Sequence, residues 1–574
     1  MDWALKQELK EQLAGEQGYY IYPAGTRTRF ALVYPNTYFI GMSNLGLHII
    51  YRLLNERADT ACERVFLPER RQLSRYESTR TPVMSVETQA PLHEFGLIGF
   101  AVSFEMDYFN ILKLLRLGRV EPRAAARGEQ DPIVIAGGPC ATFNPEPLSL
   151  AVDAFIIGEG EAIMPRFMDA YHAGRQEGDS RAELLLRLAQ VPGVYVPSLY
   201  EHSYDEAGRL TAIRALPGAP EKVRRQWVQD LDREPAHTVV LTDNTEFGFY
   251  LIETARGCGR HCRFCMAGYC FRRPRNRSLP VIEQAVREAL PYGKRIGLMG
   301  AAISDYPEID ELCRAILGEG LSMSVASFRA DSVTEELVNS LARSGLKTLT
   351  IAPEAGSRRM RRVINKGIEE EDVFRTVRLG LAAGIQQFKL YLMLGLPFEE
   401  QEDIEAIIDL ANRLKDCMEE QGSKGTLTLS VNPFVPKPFT PFQWFPMADR
   451  KYVEGSMKHL SRSLRRRKHI EVNLESVKEA CVQAVLARGG RQVAEALMRS
   501  SEMGGPKAFR QAMKGLGLAP EQELYREREE RELLPWDRLD MGFGAEYLRA
   551  EFQRARELIS TPPCFVGCHR CGVC

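Results

Sequence analysis

The chain has 574 residues, of which 44% are hydrophobic and 26% charged, with 75 Lys plus Arg set against 76 Asp plus Glu. This is globular composition and excludes a disordered or fibrous chain; the balanced charge excludes a protein that binds polyanions over its whole surface. At about 150 residues per domain the length predicts three or four domains. No stretch approaches the roughly 20 apolar residues of a membrane helix, and Met1 to Lys6 has no apolar signal-peptide core. The sequence is therefore read as cytoplasmic, with no membrane partner. The 13 cysteines are odd in number, which excludes a complete disulfide framework. In a reducing compartment, clustered cysteines read as metal ligands.

Residues 1–26 form an N-terminal extension. From 27 to 175, apolar runs alternate with helical patterns: Phe30–Tyr34, Ile98–Phe104, Ile133–Ala136 and Ala154–Ile157 read as strands, with helices such as Leu45–Leu54 and Tyr108–Leu117 between them. This predicts a parallel sheet covered on both faces, with its ligand at the carboxyl ends of the strands, where Gly137-Gly138-Pro139 and Gly158-Glu159-Gly160-Glu161 lie. Residues 176–243 are more polar and read as a connector.

From 244 to 445 the alternation is cleaner. Strands are expected at Phe249–Glu253, Ile296–Met299, Met323–Ala326, Leu349–Ala352, Phe388–Leu394 and Leu427–Val431. Six β/α units predict a closed or partly closed barrel of parallel strands, with chemistry on the loops that follow them. Residues 446–574 read as mostly helical and highly charged. Their last helix, about 544–559, carries an apolar stripe that includes Tyr547, Leu548 and Phe552 and should dock on the body of the protein.

Sorted by position, six cysteines are scattered and read as small packed hydrophobes. Three form a CxxxCxxC, Cys258, Cys262 and Cys265, directly after the first barrel strand. Four end the chain as a CxxxCxxCxxC, Cys564, Cys568, Cys571 and Cys574. Gly257 and Gly259 give the first segment the freedom to loop around a metal. A 4Fe-4S cube held by three thiolates keeps one iron open for a small molecule; a structural zinc site using Cys270 as a fourth ligand is the competing reading. The terminal four can close a second 4Fe-4S cluster or a tetrahedral zinc site, with His569 able to replace one thiolate.

Glu253-Thr254-Ala255-Arg256-Gly257-Cys258 through Cys265-Met266-Ala267-Gly268 resembles the signature of the radical SAM enzymes. The resemblance implies that Cys258, Cys262 and Cys265 hold the 4Fe-4S cluster that binds S-adenosylmethionine (SAM), with the aromatic Phe264 beside it. It places the backbone at Gly300 against the methionyl amino group and Ser327, Arg329 and Glu354 against the methionyl carboxylate and ribose. Gly395-Leu396-Pro397 and Val431-Asn432-Pro433 then flank the adenine. Ala302 stands where the family often has Glu. Tyr34-Pro35-Asn36-Thr37-Tyr38, Gly41 to Gly46, Gly137-Gly138-Pro139 and Gly158 to Glu161 resemble the cobalamin-binding-type domain fused ahead of some radical SAM barrels, an association that makes Asn44, Gly137, Gly138, Gly158 and Glu159 cobalamin candidates. The Asp-x-His-x-x-Gly cobalt signature is absent, and His48 reads as a packed histidine.

The fold class implied is α/β: a doubly wound parallel sheet of cobalamin-binding-like Rossmann type, then a partial (β/α)6 TIM-like radical SAM barrel and a helical C-terminal region. The implied activity is reductive cleavage of SAM to a 5′-deoxyadenosyl radical, fed by an electron donor such as a flavodoxin or ferredoxin. With cobalamin the leading reaction is methyl transfer; without it, methylthiolation or another radical modification of RNA is the alternative. A non-catalytic iron–sulfur electron carrier or sensor is the reading from a different class. The arginine runs at 272–277 and 358–362 sit on loops expected at the barrel mouth, where they could neutralise SAM, a corrin or an RNA backbone. RNA, a peptide and a small molecule all remain open as substrate, and no catalytic side chain beyond the cofactor ligands is assigned.

Overall fold

The computed structural model describes every residue except Met1, Phe247, Lys294, Ala545, Val566 and Cys574. Its contacts divide the chain into two units. The first comprises Met1–Gly248, Val485–Pro520 and Arg531–Gly542; the second comprises Phe249–Ala484, Glu521–Glu530 and Phe543–Cys574.

In the first unit, the apolar runs become strands β1 (Thr28–Tyr34), β2 (Thr60–Phe66), β3 (Leu97–Ala101), β4 (Ile133–Gly137) and β5 (Ala154–Ile156). They join a six-stranded sheet in the order β2-β1-β3-β4-β5-β6, where β6 is Val194–Tyr195. The first five strands run parallel and β6 is antiparallel to β5. Helices supply the crossovers that parallel pairing demands, among them Leu45–Asn55 between β1 and β2 and Tyr108–Leu117 between β3 and β4. Phe30 and Leu32 of β1 pack with Tyr51, Ile133, Phe167 and Leu184 in one buried core. The N-terminal extension folds as the helix Trp3–Ala14, capped by the Asp2 carboxylate. Just past it, buried Glu16 pairs with buried Arg64 of β2 at 2.5 Å, and Arg64 also pairs with Glu87 at 2.7 Å.

The region read as a connector contributes more than linkage. It supplies β6 and a hairpin, Tyr200–Tyr204 with Leu210–Ala215. Its Gln226 carbonyl also lies where a Cβ on Gly158 would stand, only 2.0 Å away, and Gly158 has φ +128°. A side chain there meets both backbone strain and a direct clash. Gly158→Ala is expected to destabilise the first unit by more than about 2 kcal/mol, read as a lowered urea midpoint.

The second unit holds β7 (Phe249–Glu253), β8 (Arg295–Met299), β9 (Met323–Ser324), β10 (Thr348–Glu354), β11 (Gln387–Leu394), β12 (Leu427–Pro433) and β13 (Ile470–Leu474). All pair parallel, as a three-stranded sheet β7-β8-β9 and a four-stranded sheet β10-β11-β12-β13. A parallel bridge between Phe328 and Ile351 joins the two, so the strands follow one another in chain order around an open arc. The six expected barrel strands are present, and β13 adds one from the region read as helical. That C-terminal region is shared out. Helices Arg491–Glu502 and Phe509–Gly515 lie in the first unit, where Phe509 meets Phe109 edge-on at 5.6 Å, whereas helix Tyr547–Arg556 lies in the second.

Candidate active site

The cysteine loop leaves the carboxyl end of β7. Glu253, the last residue of that strand, accepts hydrogen bonds from Arg256 at 2.9 Å and from Arg277 at 2.7 Å, which fixes both ends of the loop. Burial alone would raise the Glu253 pKa, but the two guanidiniums outweigh it and hold the carboxyl below its usual range. Gly257 has φ +79°, and a Cβ on it would stand 2.2 Å from the Phe271 carbonyl oxygen, so the turn into Cys258 takes only glycine.

Cys262 is buried, and Cys258 and Cys265 are half-buried. The three are electrostatic neighbours: burial, then Cys262 and Cys258, push the Cys265 thiol up to about 12, and burial with Cys262 raises Cys258. Among the described residues no three His, Cys, Asp or Glu groups converge as they would on a single metal ion. A 4Fe-4S cube spreads its thiolates over separate irons, so neighbouring thiols on one glycine-hinged loop are a donor set that it fits.

Cations gather on the same side. Arg329, after β9, places Nη1 3.8 Å from Cys262 Sγ and donates to the Lys366 carbonyl at 2.6 Å. Lys366 donates through Nζ to Glu354 at 3.1 Å, and that nitrogen lies 5.9 Å from the Phe264 ring centroid. Glu354 holds φ +66°, a conformation costly for a residue with a side chain and concentrated at functional sites. Phe264, Arg329 and Glu354 thus share one neighbourhood beside Cys262. Gly300 follows β8, where a Cβ would come within 2.9 Å of Ile303 and 3.2 Å of Thr254. Ser327 sits half-buried on the segment between β9 and Arg329.

Arg260 ties the strand-end loops together, pairing with Asp305 at 2.5 Å and with Asp331 at 2.8 Å; Asp331 in turn receives Arg329 at 3.1 Å. The arginine runs expected at the barrel mouth are divided: Arg273, Arg358 and Arg362 are exposed, and others are turned inward. Arg272, Arg275, Arg277 and Arg361 are buried. Arg361 donates to the Ala355 and Gly356 carbonyls and Arg359 pairs with Asp403, so these side chains hold loops in place.

Residues 252–411 match the model of the radical SAM superfamily, and residues 46–197 match the model described as radical SAM proteins, N-terminal. The chain carries a radical SAM domain. Such a domain implies a 4Fe-4S cluster and SAM as cofactors. An uncharacterised protein of Methanocaldococcus jannaschii is 29% identical over 472 residues, spanning 81% of this chain and 90% of its own. Cytidylyl-2-hydroxyethylphosphonate methyltransferase of Streptomyces wedmorensis is 27% identical over 374 residues, 60% of this chain and 66% of its own. Among solved structures, the cobalamin-dependent SAM radical enzyme OxsB with aqua-cobalamin bound is similar at TM-score 0.46 and 14% identity, over 87% of this chain and 72% of that one. The radical SAM methyltransferase TsrM of Kitasatospora setae, with cobalamin and a 4Fe-4S cluster bound, is similar at TM-score 0.43 and 17% identity, over 71% of this chain and 72% of that one.

The first unit has its own crevice. Its strand order reverses between β1 and β3, the position at which open parallel sheets bind ligands. Beyond those strand ends, Asn44 caps the helix Leu45–Asn55 through the Leu47 amide and reaches Ser103 at 3.4 Å. Asp107 accepts from Asn36 at 3.1 Å and from Asn110 at 3.3 Å, and burial pushes its carboxyl up to about 6. Gly137 ends β4, and Gly138 has φ +99° with its missing Cβ 2.7 Å from the Val102 carbonyl oxygen. Phe39 and Phe104 stay 40% and 45% exposed at this end of the sheet, large apolar faces without a full covering.

Two of the cofactor candidates are engaged by the chain itself. Gly158 bridges Gln226, and the buried Glu159 carboxylate accepts the Val228 amide at 2.9 Å. His48 is packed, as its sequence context implied. Its Nδ1 accepts from the Val239 and Val240 amides at 3.3 Å, so Nε2 carries the proton and donates to the Met42 carbonyl at 3.0 Å. Lys366, Asp107 and His261 are the residues that sequence reasoning passed over. Only His261 carried a signal, by standing inside the CxxxCxxC itself.

Proposed function

We propose that the protein is a radical SAM enzyme that transfers a methyl group, with SAM on the open iron of the Cys258–Cys262–Cys265 cluster and cobalamin at the β1/β3 crevice of the first unit. The observation that carries the reading is the set of cations beside Cys262. Arg329 and Lys366 with Glu354 offer charge for a methionyl carboxylate and a polar partner for a ribose, which an electron carrier has no use for. When bound, the cluster supplies the electron that cleaves SAM. This chain's residues orient the sulfonium and, through the Arg260–Asp305–Asp331 ties, keep the loops around it in place. The crevice between β1 and β3 supports cobalamin: it has polar groups at Asn44 and Ser103 and exposed Phe39 and Phe104 for a flat macrocycle, whereas Gly138 and Asp107 are taken up by the chain's own Val102, Asn36 and Asn110. With His48 committed to packing, it is not a residue that would hold the group. The name of the Streptomyces wedmorensis relative supports methyl transfer as the reaction class.

The test is anaerobic reconstitution with iron, sulfide and hydroxocobalamin, followed by SAM and dithionite. Formation of 5′-deoxyadenosine or S-adenosylhomocysteine, with corrin retained through gel filtration and lost when the exposed Phe39 and Phe104 are both replaced by Ser, is the expected result. SAM turnover by a protein that retains no corrin would overturn the cobalamin assignment. No SAM turnover at all, in protein with a full cluster, would overturn the enzyme reading.

A further inference from the structure

The cysteines at the end of the chain are fastened to the loop that holds the first cluster, within the same unit. The Cys564 amide donates to the Gly259 carbonyl at 2.8 Å, and Cys564 Cβ lies 3.2 Å from where a Cβ on Gly259 would stand. Further along, the Gly544 amide donates to the Cys571 carbonyl at 2.9 Å. Cys568 and Cys571 are buried at 5% and 2% exposure, and the Cys568 side chain is hydrogen-bonded to Cys564. Cys574 lies outside the described residues.

His261, which sits between Cys258 and Cys262 in sequence, reaches across to this segment and is fully buried. Its Nε2 is 3.1 Å from Cys564 Sγ. Its Nδ1 faces Arg272 Nη1 and Nη2, each at 3.0 Å, and the Tyr547 hydroxyl at 2.5 Å. A guanidinium only donates, so Nδ1 must accept and the ring proton sits on Nε2, aimed at sulfur. Arg272 is itself buried, lies over the Tyr269 and Tyr547 rings at 5.4 and 5.7 Å, and stands within electrostatic reach of Cys564 and Cys571. A buried cation and an N–H donor facing cysteine sulfurs form the setting of a thiolate centre, because charge-assisted hydrogen bonds stabilise sulfur that carries negative charge.

We propose that Cys564, Cys568 and Cys571 hold a second 4Fe-4S cluster, whose Cys564 sulfur accepts a hydrogen bond from His261 of the loop that carries the SAM cluster. Seating on Gly259 and His261, in the midst of the first cysteine motif, favours iron–sulfur over zinc. A redox centre at this place can exchange electrons with its neighbour, whereas a zinc ion would add only structure. The inference is independent of the methyl-transfer reading, since it concerns metal content and not turnover.

The test uses full-length protein in which Cys258, Cys262 and Cys265 are all replaced by Ser, purified anaerobically. It is expected to keep about four iron and four sulfide per chain, as one 4Fe-4S cluster requires, and to lose them when Cys564→Ser and Cys571→Ser are added. Zinc in place of iron, or no metal in the triple variant, overturns the proposal. The wild-type protein gives an answer free of folding effects. Reduced with dithionite, it is expected to show two electron paramagnetic resonance signals, of which SAM changes only one; a single signal that SAM shifts entirely overturns the second cluster. His261→Leu, which has no donor, is expected to leave iron content unchanged and to move the SAM-insensitive signal to a more negative potential, because a hydrogen bond to cluster sulfur favours the reduced state. An unchanged potential overturns the role given to His261.

Discussion

Cys262→Ser is expected to abolish reductive cleavage of SAM, with 5′-deoxyadenosine falling by well over about 100-fold, beyond the range seen when only outer partners of a metal ligand are removed. Cys262 is the buried member of the three and the one against which the cations gather, with Arg329 Nη1 at 3.8 Å. A serine oxygen is a harder and far less acidic ligand, so a cube held by these three thiolates would lose one of its attachments. Lys366→Met tests the surroundings of the same sulfur. It leaves all three thiolates in place and removes the 3.1 Å pair with Glu354. The iron content should therefore hold while the SAM concentration needed for half-maximal cleavage rises about 10–100-fold. Equal loss of iron in both variants would make Lys366 a part of the fold of the loop and not of the SAM site.

Most barrel strands were legible because they are apolar runs closed by a glycine, a proline or the cysteine loop, Met323–Ala326 before Ser327 being the exception. β13 was not. Ile470–Leu474 alternates with Glu471 and Asn473 and stays partly exposed, so at an edge of the arc it carries little of the signal that burial writes into a sequence. β6 is two residues long and shows no period at all. Amphipathic helices near the C-terminus announce that one face is buried but not against what, which is why 485–520 and 543–574 read alike and yet belong to different units. The same limit applies to the site. Cysteine spacing is local and survives in the sequence, as does the glycine that Gly257 or Gly138 must be. Lys366 sits twelve positions beyond Glu354 in an unremarkable Asn365-Lys366-Gly367, and only the fold returns it to Cys262. Glu159 shows the converse, a residue in a suggestive glycine-rich loop whose carboxylate is spent on the Val228 amide.

Glu551→Ala is expected to destabilise the second unit by about 3–5 kcal/mol, the usual consequence of stripping one partner from a buried ion pair. Glu551 and Arg263 are both 0% exposed and meet at 3.2 Å. Arg263 lies between Cys262 and Phe264 in sequence, so the pair joins the cysteine loop to the helix Tyr547–Arg556. Arg263 also donates to the carbonyls of Arg362, Val363 and Ile559, at 2.9, 3.0 and 2.6 Å. Those acceptors carry only partial charge, and without Glu551 the guanidinium would be desolvated with no carboxylate opposite it. The helix has a second hold through Phe552, which sits among Phe398, Phe442, Trp444 and Phe445 with centroid separations of 6.1 to 6.4 Å. The apolar contact keeps the helix in place when the charge is lost, so the expected change is a rise in local opening and not global loss of the fold. Amide hydrogen exchange over the helix should speed up by about two to four orders of magnitude, the same free energy expressed as a rate. The opening should spread to the terminal cysteines. Glu551 also accepts the Thr561 hydroxyl at 2.8 Å, and Thr561 exchanges hydrogen bonds with Asn365 at 2.8 and 3.0 Å just before Cys564. Glu551→Gln preserves the acceptor for Thr561 but not the charge. If it behaves like wild type, the hydrogen bonds and not the ion pair hold the segment. If it behaves like Glu551→Ala, the charge does.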